Sequence, residues 1–288
     1  MSPQPIELRS GELRLALRPD LGGSIAGLWL GGPQGEQPVL RSTEAAELAS
    51  SRLAGCYALA PYSNRLGYRR FRWLGHDHTT APNFDDCPHS VHGVAWQRPW
   101  EVLPTTRDHE IELRYTHQPD AHWPFAFELR QRYVLTPAAL EVHLAFTNRA
   151  TQPQPVGLGW HPYFPKRPRS RLHIELTDRW ESDASGLPTR RVPQPGIDGD
   201  VSHLGFDHCF EGWRGAARIR DEKLSLRLTS SLPYLVVYTP ETKPYYCVEP
   251  VSHVSNALHM ADPMAHGLRS LAPQSTFDAW MKIEVDHA

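Results

Sequence analysis

Hydrophobic residues recur at every second position over long stretches of this chain. Leu13, Leu15 and Leu17 share one face of segment 12–17, and Phe125, Phe127, Leu129, Tyr133 and Leu135 do the same over 125–135. A period of two is that of a strand with one buried face. After a turn at Thr136-Pro137-Ala138-Ala139, Leu140, Val142, Leu144 and Phe146 alternate again, which predicts a long antiparallel hairpin. Further strands are predicted at 110–115, 171–176, 217–220, 224–228, 234–238 and 277–285. The 27 prolines and 20 glycines are spread over the whole length and leave few windows for a helix of ordinary size. The predicted fold is all-β, a large antiparallel β-sandwich. Strand patterns run to the end without a flexible linker or short repeat, so residues 1–288 are expected to form one domain. The polar, proline-rich stretch 189–200 is expected to be a loop, and whether it covers a site stays open at the level of sequence.

Charge and composition narrow the function. Thirty Lys plus Arg stand against thirty-two Asp plus Glu, a formal charge of -2, which gives no footprint for a nucleic-acid partner. No stretch approaches the roughly 20 apolar residues of a membrane span, and the opening MSPQPIELRS lacks a basic segment followed by an apolar run. A cytoplasmic protein with no membrane partner, monomeric or homodimeric, is expected. Cys56, Cys87, Cys209 and Cys247 are widely scattered with no C-x-x-C pair, so reduced structural thiols are expected. The nine tryptophans suit a core and also suit stacking on sugar rings.

Five segments break the strand alternation by crowding polar, aromatic and glycine residues together. Asn64 and Arg65, in Ala60-Pro61-Tyr62-Ser63-Asn64-Arg65, offer an amide and a guanidinium to ligand hydroxyls, or simply form a turn with a surface arginine. His92 and Gly93 lie in a run that ends at Trp96, where glycine permits close backbone approach. His161 sits between glycines and prolines in Gly157-Leu158-Gly159-Trp160-His161-Pro162-Tyr163-Phe164-Pro165, the composition of a rigid loop. Asp207 and Glu249 are embedded among apolar residues in Phe206-Asp207-His208-Cys209-Phe210 and Cys247-Val248-Glu249-Pro250. A buried acid must find donors or shift its pKa upward, and an elevated Glu is what a general base near neutrality requires. A metal is not expected: His76 and His78 form an H-x-H pair, but Pro82, Asn83 and Phe84 occupy the region where a metal barrel needs a glutamate.

Taken in order, these segments resemble the aldose 1-epimerase (galactose mutarotase) family. The matching blocks are NR at Asn64 and Arg65, HG-x-x-W from His92 to Trp96, HPYF from His161 to Phe164, DHCF from Asp207 to Phe210, and EP at Glu249. The resemblance implies a large antiparallel β-sandwich, sometimes called a supersandwich, in agreement with the strand pattern. It also implies that His161 is the general acid at the sugar's ring oxygen and Glu249 the base at the C1 hydroxyl, with His92 supporting the ring-side oxygens. Arg65, Asn64 and Asp207 would then bind hydroxyls, and Trp96 and Tyr163 are placed on the sugar's apolar face. No cofactor is implied. A histidine near its ordinary pKa of about 6.5 suits a reaction run in both directions.

Three alternatives stay open at the level of sequence. One is a sugar-binding or sugar-sensing module that keeps the pocket without the chemistry. Another is a glycoside hydrolase, for which Asp207 and Glu249 are the available carboxylates. The third is a mutarotase for a phosphorylated or sulfonated sugar, using the basic run Lys166, Arg167, Arg169 and Arg171. An uncharged aldose is the expectation, and the sequence PVSHVSNALH after Glu249 is a departure expected to bear on which one.

Overall fold

The computed structural model describes residues 5–33, 35–85 and 87–288. Among them the regular structure is strands and a few single-turn 3-10 segments, and no helix is long and apolar enough to cross a membrane. Two antiparallel sheets of nine and eight strands dominate. The nine-stranded sheet grows from the predicted hairpin, in which Phe127–Thr136 pairs with Ala139–Asn148 and Thr136 faces Ala139 across the turn. Glu110–His117 flanks it on one side and Thr276–His287 on the other. The other predicted strands are also present, as Leu13–Arg18, Arg171–Ile174, Ala216–Arg220, Leu224–Ser230 and Tyr234–Tyr238.

Alternation decides what each sheet buries. The largest apolar cluster takes Leu129, Leu144 and Ile283 from the nine-stranded sheet and Phe210, Leu235 and Val248 from the eight-stranded one. Each such side chain contributes about 1.5–3 kcal/mol by leaving water, which holds the two layers together. The eight-stranded sheet also buries its other face: Val236, Cys247 and Val251 join Tyr57 and Tyr163 in a second, smaller cluster. The strand Tyr245–Val251 is therefore buried almost throughout.

The stretch 189–200 is not a covering loop. Pro188–Pro193 is an edge strand of the eight-stranded sheet, paired with Asp178–Ser182, and Ile197–Asp200 is an edge strand of the nine-stranded sheet, paired with Arg171–Ile174. Edge positions leave one side of the ladder open, so proline and charge are tolerated there and imitate a loop in sequence. The strand Ser24–Leu30 was missed for the opposite reason: all seven residues are buried, so there is no polar face to alternate. The four cysteines form no disulfide, as expected.

Candidate functional site

Register across the eight-stranded sheet assembles the site. Asp207 lies opposite Tyr238, Tyr238 opposite Cys247, and Cys247 opposite Tyr163, a row that crosses four strands. In the next row Cys209 faces Val236 and Val236 faces Glu249. The chain bearing His161 is interrupted between Gly159–Trp160 and Tyr163–Pro165, with Gly159 opposite Val251 and Tyr163 opposite Cys247. Continuing that register places His161 opposite Glu249. Side chains two residues apart share a face, so Cys247 and Glu249 point the same way.

The result is a cavity of about 500 Å³ lined by His161, Glu249, His92, Asn64, Arg65 and Asp207, with Tyr57, Tyr163, Tyr238 and Tyr245 among its aromatic walls. That volume is in the range of small-molecule sites. His161 Nε2 stands 3.4 Å from Glu249 Oε1 and 3.4 Å from the Tyr163 hydroxyl, which is itself 2.9 Å from the Tyr57 hydroxyl. Tyr163 also stacks on the imidazole at 4.3 Å and 14°, and the Arg41 guanidinium covers the far side of Tyr163 at 3.7 Å. Both members of the central pair are buried, and Glu249 Oε2 and His161 Nδ1 have no hydrogen-bond partner among the described residues.

Burial sets the protonation of that pair. Loss of solvent pushes the Glu249 carboxyl well above its ordinary value, with Asp207 adding to the rise and Arg65 opposing it. The same loss of solvent holds the His161 imidazole well below 6.5, helped by His92 and Arg41. The upward Glu shift is the one anticipated, whereas the expectation of an ordinary histidine is corrected: desolvation outweighs everything else at His161.

His92 is held as a hydrogen-bond donor. It has a left-handed backbone (φ 65°), as do Gly93 (φ 67°) and Asn64 (φ 56°), which brings the segments 60–65 and 90–94 into close contact. A Cβ on Gly93 would fall 2.2 Å from the Ala60 carbonyl oxygen, so only glycine fits there. The Asn64 amide donates to His92 Nδ1 at 3.1 Å, which leaves the ring proton on Nε2. Burial lowers the His92 pKa to about 3, so the ring is neutral at cellular pH. Asn64 Oδ1 accepts from the Arg65 amide and guanidinium at 2.8 and 3.2 Å, and the guanidinium reaches Asp207 Oδ2 at 3.7 Å.

Other histidines serve the scaffold. His89 Nδ1 accepts from the Tyr68 amide at 2.9 Å and Nε2 meets the Ser185 carbonyl at 3.1 Å, tying in the turn that ends at Gly186. His253 Nε2 accepts from the Ser63 amide at 3.0 Å, and Asn256 Oδ1 accepts from the Gly67 amide at 2.9 Å. The sequence after Glu249 thus buttresses the loop carrying Asn64 and Arg65 from behind. His78 stacks on Phe71.

Two sequence-based assignments change. Trp96 does not reach the cavity: it is 1 % exposed, held in the turn Ala95–Gln97, and stacked against Tyr57 at 5.3 Å, so the wall it was expected to form belongs to Tyr57. Asp207 is not buried, because it opens its strand at the cavity rim with its side chain 51 % exposed. None of the basic run lines the cavity: Lys166 meets the carbonyls of Pro240 and Glu241, Arg167 meets Asp221 and the Pro38 carbonyl, Arg171 meets Asp198, and Arg169 is exposed. Tyr57, Arg41 and Ser185 were not singled out from sequence, since nothing local marks them and only tertiary contacts bring them here.

Several known proteins are similar to this chain in fold or sequence. The crystal structure of an Escherichia coli K12 protein described only as a candidate aldose 1-epimerase superposes with a TM-score of 0.88 at 26% identity, covering 99% of each chain. A galactose mutarotase-like protein from Clostridium acetobutylicum shares the fold, with a TM-score of 0.84 at 19% identity over 99% of this chain and 95% of its own. YphB of Escherichia coli K12, itself uncharacterized, is 28% identical over 297 residues, 97% of this chain and 98% of its own. The sequence model of the family described as Aldose 1-epimerase matches residues 4–284.

Proposed function

The chain belongs to the aldose 1-epimerase family, and from that premise we propose that it is a mutarotase, interconverting the α and β anomers of a free, uncharged aldose. The observation that carries this reading is the buried pair His161 and Glu249, 3.4 Å apart on one wall of a sugar-sized cavity. Glu249 takes the proton of the C1 hydroxyl while His161 gives one to the ring oxygen, and the bond from C1 to that oxygen breaks. The open aldehyde turns about the C1 to C2 bond, and the two groups exchange roles to close the other anomer. One proton passes from imidazole to carboxylate through the sugar, so the pair is net neutral before and after. Burial disfavours the charged form of each group, so the neutral pair of the open-chain stage is the favoured form and the ionised pair that begins ring opening is the minor one, supported by the 3.4 Å contact between the two groups.

His92 Nε2 donates to the ring-side oxygens, and Asn64, Arg65 and Asp207 hold hydroxyls at the rim. Tyr163 positions His161 by stacking and through its hydroxyl. An uncharged substrate is favoured because none of Lys166, Arg167, Arg169 and Arg171 lines the cavity and the rim arginines face acids, Arg65 toward Asp207 and Arg52 toward Asp85. A hydrolase reading loses support for the same reason, since Asp207 is rim-exposed and faces a guanidinium. The test is polarimetry on freshly dissolved α-anomers of glucose, galactose and other neutral aldoses beside their 6-phosphates. Acceleration with the neutral sugars is expected, and a protein that accelerates only the phosphates, or none, contradicts the proposal.

A further inference from the structure

Cys247 has no part in the proposed proton transfers, yet it lies within the same wall as the pair that performs them. A sulfur, a nitrogen and an oxygen from Cys247, His161 and Glu249 all lie within 4.8 Å of one another. Strand geometry forces this: Cys247 and Glu249 are two residues apart on one strand, and the neighbouring segment sets Tyr163 against Cys247. All three residues are buried, with exposures of 0 % for Cys247, 3 % for Glu249 and 7 % for His161. Glu249 Oε2 and His161 Nδ1 also stand without a hydrogen-bond partner among the described residues. Buried acceptors of that kind are costly unless something satisfies them.

We infer that Cys247, His161 and Glu249 form a binding site for a thiophilic divalent cation of the Zn²⁺ type, and that its occupancy switches off the sugar chemistry. The donor set is one thiolate, one imidazole and one carboxylate, which suits zinc or cadmium and not the all-oxygen preference of magnesium or calcium. Zinc bonds to such donors are about 2.0–2.3 Å long, so closing the triad around an ion requires side-chain movements of roughly an ångström. Three protein ligands leave one position of a tetrahedron, and the cavity that His161 and Glu249 line supplies room for a water or a sugar hydroxyl there. Coordination occupies the nitrogen and oxygen lone pairs that would otherwise take protons. The inhibitory part rests on the mutarotase reading, whereas the binding site itself does not.

Two readouts on the full chain separate the claims. Cd²⁺ titration followed by sulfur-to-metal charge-transfer absorbance is expected to saturate at a single ion in the wild type and in Cys87→Ser, which alters the more accessible thiol. Cys247→Ser and Cys247→Ala are expected to lose that band and to weaken metal binding by at least about tenfold, given that even supporting residues of metal sites are worth 10–100-fold. With Zn²⁺ added, mutarotation by the wild type is expected to stop and to return with a chelator, while both Cys247 variants keep their basal rate and resist the metal. No thiolate band in the wild type, equal binding by the Cys247 variants, or a Zn²⁺-stimulated rate overturns the inference. A band that depends on Cys247 in a protein with no mutarotase activity leaves the site standing and removes the function.

Discussion

Replacing Glu249 by glutamine tests the proton chemistry with almost no change of shape. The carboxylate is 3 % exposed and 3.4 Å from His161, and the nearest acid named at the site, Asp207, faces Arg65 at the rim, so no second base stands ready to replace it. A positioned general base contributes about 10²- to 10⁴-fold to a rate, or roughly 3–5 kcal/mol of barrier. Glu249→Gln is therefore expected to lower kcat by that factor while KM changes by no more than a few-fold, because the amide still fills the site. Stability should move the other way. Burial raises the Glu249 pKa above its ordinary value near 4.5, so ionising it in the folded chain is unfavourable. Below that ordinary value the group is protonated in both states and contributes nothing; as pH rises toward the folded pKa the wild type loses stability that the glutamine variant keeps. The assays are steady-state mutarotation and thermal unfolding across pH 5–8. A folded variant with full kcat, or one whose melting temperature stays below wild type throughout, refutes the reasoning.

Further expectations follow from the surroundings of that pair. Tyr163→Phe removes a hydroxyl shared by Tyr57 and His161, and with a net hydrogen-bond value of about 0.5–1.5 kcal/mol the expected loss is roughly 2- to 10-fold in kcat with KM little altered; a change confined to KM would contradict it. Gly186 has φ 79°, and a Cβ there would lie 2.8 Å from Arg65 Cζ, so Gly186→Ala is expected to displace the guanidinium and raise KM several-fold, with about 1–2 kcal/mol of backbone cost visible in unfolding. An unchanged KM would show that Arg65 does not hold the sugar. Burial depresses His92 to about 3 and His253 to about 4, so both oppose protonation when folded. Their contribution is complete above about pH 6.5 and is lost as pH falls toward those values, at up to roughly 1.4 kcal/mol per pH unit for each. Denaturant unfolding of Glu249→Gln, which lacks the opposing carboxyl, is expected to weaken steadily from pH 6.5 to 4.5, and a flat profile would contradict it.

The sequence made the sandwich legible wherever one face of a strand meets water, as in the hairpin Phe127–Thr136 and Ala139–Asn148. It was silent on Ser24–Leu30, which is buried on both sides, and misleading at 189–200, where edge strands carry the prolines of a loop. At the site, Gly93 and the interrupted strand around His161 left signals because backbone constraint demands particular residues. Asp207 and Trp96 were misplaced because exposure depends on which end of a strand reaches the rim and which ring is covered by another, and neither is a local property. Tyr57 and Arg41 became visible only through tertiary contacts, and the place of Cys247 beside the pair only through register, since these partners are far away in sequence.

The central claim is that a buried His161 and Glu249 exchange a proton through the anomeric centre of a free sugar. Exchange NMR of a neutral aldose at anomeric equilibrium measures that step directly, with no coupling enzyme and no net reaction. The account predicts α to β exchange that rises in proportion to wild-type protein and is lost in both His161→Ala and Glu249→Gln. Exchange no faster than in buffer for every neutral aldose tried, or equal exchange in the two variants, would contradict it.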